Sequence, residues 1–260
     1  MAEAQQLTTN VFKRNLAAGT RQFGLWLALD SPIATEILAG SGYDWLLLDL
    51  EHTCTDLSNV AHHLRAARGG SAELVVRVPW NDPIVFKRLL DAGVRSFMVP
   101  MVQSADEARR AVAATRYPPH GIRGAAGNTR ASNYSRIPSY FEHAHEQHCI
   151  VGQLESLKAI DAIAEIGAVD GMDALFIGPN DLAASMGLIG KTTLPQVTEK
   201  IGLALERIRA TGKAPGILNF VPAEARSWFE RGFSFIAVGG DAAIIARRSE
   251  ALLQEIKSGL

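Results

Sequence analysis

Cysteine is nearly absent from this chain of 260 residues: only Cys54 and Cys149 occur, far apart and in no CxxC pair. That excludes a disulfide framework or a thiolate-built metal centre, and a reducing, cytoplasmic compartment is the expectation. Cys149 falls within an apolar run, where it reads as core filler. An excess of charge of one sign is missing too. With 26 Lys+Arg against 27 Asp+Glu, the net charge of −1 leaves no surplus to neutralise a phosphate backbone or an anionic bilayer. Neither nucleic acid nor membrane is an expected partner. No stretch approaches the roughly 18 apolar residues of a membrane helix. The opening MAEAQQLTTN has neither the basic nor the apolar part of an export signal.

What the chain has is apolar residues, 47% of the total, arranged in a rhythm. Short strand-like runs at 22–29, 44–50, 73–78, 95–99, 148–155, 173–178, 214–219 and 234–239 alternate with helical patterns. Several helices open on a capping residue: Ser31 before Pro32, Asp82 before Pro83, and Ser104. Another is expected from Asp56 to Arg68, closed by Gly69 and Gly70. Eight such units over this length predict one (β/α)8 TIM barrel spanning 1–260, rather than an open doubly wound sheet, with an extra helix near 11–18 closing its floor. The segment 117–139, rich in Pro and Gly and without a period, breaks the rhythm and reads as a functional or interface loop.

Active sites of such barrels lie where the strands end. The polar residues at those points are Asp49, Glu51 and His52; Arg77; Gln103; Gln153 and Glu155; the run Gly178, Pro179, Asn180 and Asp181; Asn219; and Asp241. Glu155 and Asp181 form an oxygen-rich pair that suits Mg²⁺ or Mn²⁺, unless both merely cap helices. His52, beside two acids, is either a proton-transfer group or an exposed loop histidine. Arg77 interrupts the apolar VVRVP and must meet an acid or an anionic ligand, with a structural ion pair to Glu51 as the plainer reading. Lysine is missing from every strand end, which disfavours Schiff-base chemistry, with Lys191 in the GKTT loop as the one exception left open. GIRGAAG lacks the lysine spacing of a P-loop and follows no strand.

The segments GLWLALDSP, YDWLLLDLEH, RVPWND, VPMVQSADEARRAVAATRYPPHGIRG, QLES and FIGPNDLAASMG together resemble the HpcH/HpaI aldolase family along nearly the whole chain. The resemblance implies a class II aldolase reversibly cleaving 4-hydroxy-2-oxoacids to pyruvate, or hydroxypyruvate, and an aldehyde through a metal-stabilised enolate. By position it assigns a divalent metal (Mg²⁺, Mn²⁺ or Co²⁺) to Glu155 and Asp181, and catalysis to His52 with Asp49. Arg77 faces the oxoacid oxygen, and the base is either His52 or a metal-bound water beside it. Gln153, Gly178, Pro179 and Asn180 would border the substrate, with Trp26, Leu218 and Val238 as pocket candidates. Asp91 would reach a neighbouring subunit's site in a hexamer that exchanges C-terminal helices. Leu50 and Asn180 depart from the commoner residues of relatives. Alternatives are a lyase on acyl-CoA or sugar-derived oxoacids, for which Arg123, Arg130 and Arg136 are only scattered positive charges, or a non-catalytic metabolite-binding barrel.

Overall fold

Each apolar run becomes a strand. The strands are β1 (Gln22–Leu27), β2 (Trp45–Asp49), β3 (Glu73–Arg77), β4 (Ser96–Val99), β5 (Cys149–Leu154), β6 (Ala174–Ile177), β7 (Ala214–Leu218) and β8 (Phe235–Gly240). Every strand pairs in parallel with the next, and β8 pairs with β1, closing the expected TIM barrel. The computed structural model describes residues 7–259; the export-signal reading over residues 1–6 lies outside the described residues. No helix among the described residues is long and apolar enough to cross a membrane.

The helices that matter below are α1 (Val11–Ala17), α2 (Pro32–Ala39), α3 (Val60–Ala66), α4 (Pro83–Ala92), α5 (Ala105–Thr115) and α6 (Tyr140–His143). They continue with α7 (Leu157–Asp161), α8 (Ile163–Gly167), α9 (Pro179–Ser185), α10 (Pro195–Ala210), α11 (Pro222–Arg231) and α12 (Asp241–Lys257). Ser31, Asp82 and Ser104 each accept a hydrogen bond from a backbone N–H of the first turn, as their residue type predicts. One expectation fails: α3 opens at Val60 rather than Asp56, because Asp56 accepts the Ser58 N–H at 2.9 Å and so folds its own segment into a turn.

Alternate strand residues point inward. Trp26, Trp45, Leu47, Val75, Met98, Cys149, Val151, Phe176 and Phe235 fill the barrel interior, while their neighbours Leu25, Leu46, Leu48, Val76, Phe97 and Ile177 pack outward against the helices. The expected floor helix is α1: Phe12 lies 5.7 Å from the Trp45 ring and 5.8 Å from Phe235. Gly24 is required by this packing, since a Cβ there would stand 2.0 Å from the Trp45 ring.

Near the floor, the loop 117–139 lays Arg123 fully buried over the Tyr117 ring at 4.4 Å, and close to it His148 is buried. Burial, with the charges of Arg123 and Lys13, pushes the His148 pKa down to about 3. The unfolded chain therefore takes up a proton at His148 below about pH 6.5 that the native state refuses until about pH 3. Stability contributed by this residue is intact above pH 6.5 and lost as pH falls, at up to about 1.4 kcal/mol per pH unit. In urea titrations at pH 7, 6 and 5, His148→Gln is expected to show a shallower decline than the wild type, whatever its own stability at pH 7.

Candidate active site

The inward register, carried to the strand ends, turns from apolar to polar. After Leu47 comes Asp49, after Val75 Arg77, after Val151 Gln153 and after Phe176 Gly178, with Glu51 and Glu155 one further step along the same faces. Asp49 and Arg77 are direct partners in the β2–β3 register. Arg77 grips Asp49 as a fork, Nε donating to Oδ1 at 2.9 Å and Nη2 to Oδ2 at 2.5 Å. Its Nη1 lies 3.0 Å from Oε2 of Glu51, and its guanidinium sits 5.0 Å over the Trp26 ring. Trp26 Nε1 donates to Asp49 at 3.1 Å, and the Glu51 N–H does so at 2.9 Å. Burial pushes the Asp49 carboxyl up, but the Arg77 fork and these donors bring it below the usual carboxylate range.

The histidine–carboxylate pair takes a different form from the one expected. From His52, Asp49 receives only the backbone N–H, at 3.4 Å, because a buried guanidinium needs a full carboxylate partner and has taken this one. The His52 ring is 64% exposed and lies 3.8 Å from Glu51, so Glu51 is its carboxylate neighbour. The plainer reading of Arg77 is half right: Glu51 is one partner, and Asp49 is the closer.

Glu155 is buried, with Oε1 accepting from Gln153 Nε2 at 2.7 Å and Oε2 from the Met101 N–H at 2.8 Å. Burial first, then the negative charges of Glu51 and Asp181, raise its pKa to about 7. Neither Glu155 nor Asp181 is a capping residue. Ser156 caps α7, and Asp181 stands in the first turn of α9, whose N-cap is Gly178. Gly178 is there for space, since a Cβ would meet Oε1 of Glu155 at 2.7 Å. Gly178→Ala is therefore expected to displace that carboxylate and lower turnover about 10²-fold while the melting temperature stays within a few degrees. Unchanged turnover would remove Glu155 from the reaction.

Other strand-end residues turn away. Gln103 accepts from Ser156 Oγ at 2.9 Å, Asn219 serves the start of α11 through Val221 and Glu224, and Asp241 holds the Ala28 and Leu29 N–H groups at 2.8 and 3.2 Å. Pro179, Asn180 and Leu218 line an adjoining cavity of about 410 Å³ with Phe220 and Trp228. Asp91 ends α4 at the opposite, floor side of the barrel, paired with Arg123 at 2.9 Å, and belongs to no part of its own chain's site. Sequence reasoning missed the Met101 N–H, presented by a residue at φ +54°, and gave Glu51 only an ion pair with Arg77 and a place among the two acids beside His52.

The model of the HpcH/HpaI aldolase/citrate lyase family matches residues 22–247. The chain belongs to this family. A 4-hydroxy-2-oxo-heptane-1,7-dioate aldolase of Salmonella dublin is 48% identical over 244 residues, 94% of this chain and 93% of the relative. Among solved structures, an HpcH/HpaI aldolase/citrate lyase family protein from Burkholderia cenocepacia J2315 superimposes with a TM-score of 0.93 at 39% identity, covering 96% of this chain and all of that one. An HpcH/HpaI aldolase from Desulfitobacterium hafniense DCB-2 gives 0.89 at 30% identity, covering 96% and 97%. HpcH/HpaI membership thus spans the barrel and every strand that carries the polar cluster.

Proposed function

We propose that this protein is a carbon–carbon lyase, a divalent-metal-dependent class II aldolase that cleaves 4-hydroxy-2-oxoacids to pyruvate, or hydroxypyruvate, and an aldehyde. The observation that carries the proposal is a buried carboxylate, Glu155, facing the charges of Glu51 and Asp181 beside the Arg77 guanidinium. The donor set suits an oxygen-preferring divalent ion. Two carboxylates with mutual repulsion, next to the unpartnered buried Oε1 of Gln153, gain from a cation. Among the described residues no three His, Cys, Asp or Glu side chains are placed to hold a metal ion together; Glu155 and Asp181 would hold it, with the oxoacid supplying further oxygens. Bound there, Mg²⁺, Mn²⁺ or Co²⁺ supplies Lewis-acid polarisation of the keto and carboxylate oxygens and acidifies the C3 protons.

The remaining work falls to the chain's own side chains. Two of the five N–H donors of Arg77, Nε and one on Nη2, are spent on Asp49, and Nη1 pairs with Glu51 by charge at 3.0 Å, which leaves donors on both terminal nitrogens for the substrate oxygen where negative charge develops. Asp49 and Trp26 fix that guanidinium. His52, exposed at the rim beside Glu51, takes and returns the protons of C3 and the aldol hydroxyl. A CoA-ester substrate is disfavoured because Arg123 is buried and Arg130 stands at the floor, so neither forms a phosphate-binding rim at this end.

A homo-oligomer, a hexamer by family likeness, accords with α12, which leaves Ile244, Ile245, Leu252, Leu253 and Ile256 exposed. In it, Asp91 would serve a neighbour's site. Two free cysteines accord with a cytoplasmic setting. The test is proton exchange in D2O: with Mg²⁺ or Mn²⁺ the protein should wash out the C3 protons of pyruvate and release pyruvate from 4-hydroxy-2-oxoheptanedioate. Absence of both, or turnover of CoA thioesters alone, would overturn the proposal.

A further inference from the structure

At the floor of the barrel, opposite Glu155, a polar cleft of about 730 Å³ opens between the end of α3, the starts of β3 and β4, and the 130–137 stretch of the long loop. Four arginines line it. Arg95 is neutralised, with Nη2 2.8 Å from Glu73 and Nη1 donating to Thr8. Arg65, Arg68 and Arg130 enter no ion pair among the described residues. Arg130 is half-buried and anchored, Nη1 donating at 2.8 Å to the Ala92 carbonyl at the end of α4. Gly93, left-handed at φ +98°, makes room for it, since a Cβ would stand 2.7 Å from that nitrogen. Arg65 is tied at 3.3 Å to the Ala61 carbonyl.

Burial, together with the like charges of Arg65 and Arg68, pushes the Arg130 guanidinium pKa down. Three guanidinium groups that line one cleft and enter no ion pair repel one another, and each planar fork retains donors matched to carboxylate or phosphate oxygens. The cleft is of the size that small-molecule sites adopt, and the ring of Tyr134 stands on its wall, 51% exposed. We propose that this cleft binds a small polyanion, a phosphate ester or a polycarboxylate, through Arg65, Arg68 and Arg130, at the far end of the barrel from the reaction.

The test is calorimetric titration of the whole, metal-loaded protein at low ionic strength, with saturating pyruvate to fill the site at the other end. Glycerol 2-phosphate represents the phosphate class and tricarballylate the carboxylate class. At least one is expected to bind once per chain, and which one identifies the source of the anion. Arg130→Gln should weaken that binding tenfold or more, as should Arg68→Gln, an exposed position that keeps the test open if the first variant folds poorly; Arg226→Gln, on the distant α11, should change nothing. The proposal is overturned if neither anion binds, if the Arg130 and Arg68 variants bind within twofold of wild type, or if these variants change the sedimentation of the protein. The last result would make the arginines an interface between copies.

Discussion

Chelator is expected to abolish turnover, and Mg²⁺, Mn²⁺ or Co²⁺ to restore it with rates that differ by metal. The reason lies in the electrostatics around Glu155. A carboxylate pushed to about 7 by burial, Glu51 and Asp181 is held in a place where negative charge is unwelcome. A divalent cation offsets that repulsion and makes the ionised pair favourable. Glu155→Gln keeps the size of the side chain and an oxygen for the Met101 N–H, but removes the charge. Metal affinity should fall at least about 10²-fold and turnover by several kcal/mol, about 10³-fold, with the circular dichroism of the barrel unchanged. Asp181→Ala should act in the same direction, because an exposed first-turn residue has no packing to lose. Borohydride with pyruvate should leave the protein unlabelled. Full activity in chelator, or a reduced adduct on Lys191, would replace the metal route with a Schiff base.

Much of this arrangement is legible in the chain before folding. Eight runs of apolar residues mark the strands because both faces of a barrel strand are buried. The same property hides which residues of WLLLD face inward, and only the polar residue at the end of each run, such as Asp49 or Gln153, betrays the register. Trp26, Asp49, Arg77, Gln153 and Gly178 could thus be gathered at one end of the barrel from the sequence. Pairings within that end could not. The Asp49–Arg77 fork depends on which residue of β2 lies opposite which of β3, a relation set by barrel stagger and not by local composition. His52 therefore looked like the partner of Asp49 when it is the neighbour of Glu51. Asn219 and Asp241 follow strands just as Glu155 does, yet they satisfy nearby backbone N–H groups. The loop carrying Arg130 has no period to read, so its meeting with Arg65 and Arg68 appears only in three dimensions.

Arg77→Lys is expected to lower turnover about 10² to 10³-fold while leaving metal titration near that of the wild type. Arg77 does two things that one ammonium cannot do together. Its Nε and Nη2 hold both oxygens of Asp49, and its Nη1 reaches Glu51, so a single planar group spans two carboxylates and still offers a donor on each terminal nitrogen. Lysine brings the same charge as a point, with three donors on a flexible stem. It satisfies Asp49 or Glu51 but cannot keep the fork, and the face laid 5.0 Å over Trp26 is lost. Asp49 retains the Trp26 and Glu51 N–H donors, so the lysine variant should fold with a loss of about 1–3 kcal/mol in urea denaturation. Arg77→Ala is a harsher change. It strands the buried Asp49 and the part-buried Glu51 without a counter-charge, which costs about 3–5 kcal/mol and confounds any kinetic reading. The lysine variant is thus the informative one: a folded, metal-binding protein with near-normal turnover would reduce Arg77 to a counter-ion for Asp49, whereas a kcat loss with unchanged metal affinity would place its guanidinium at the developing negative charge.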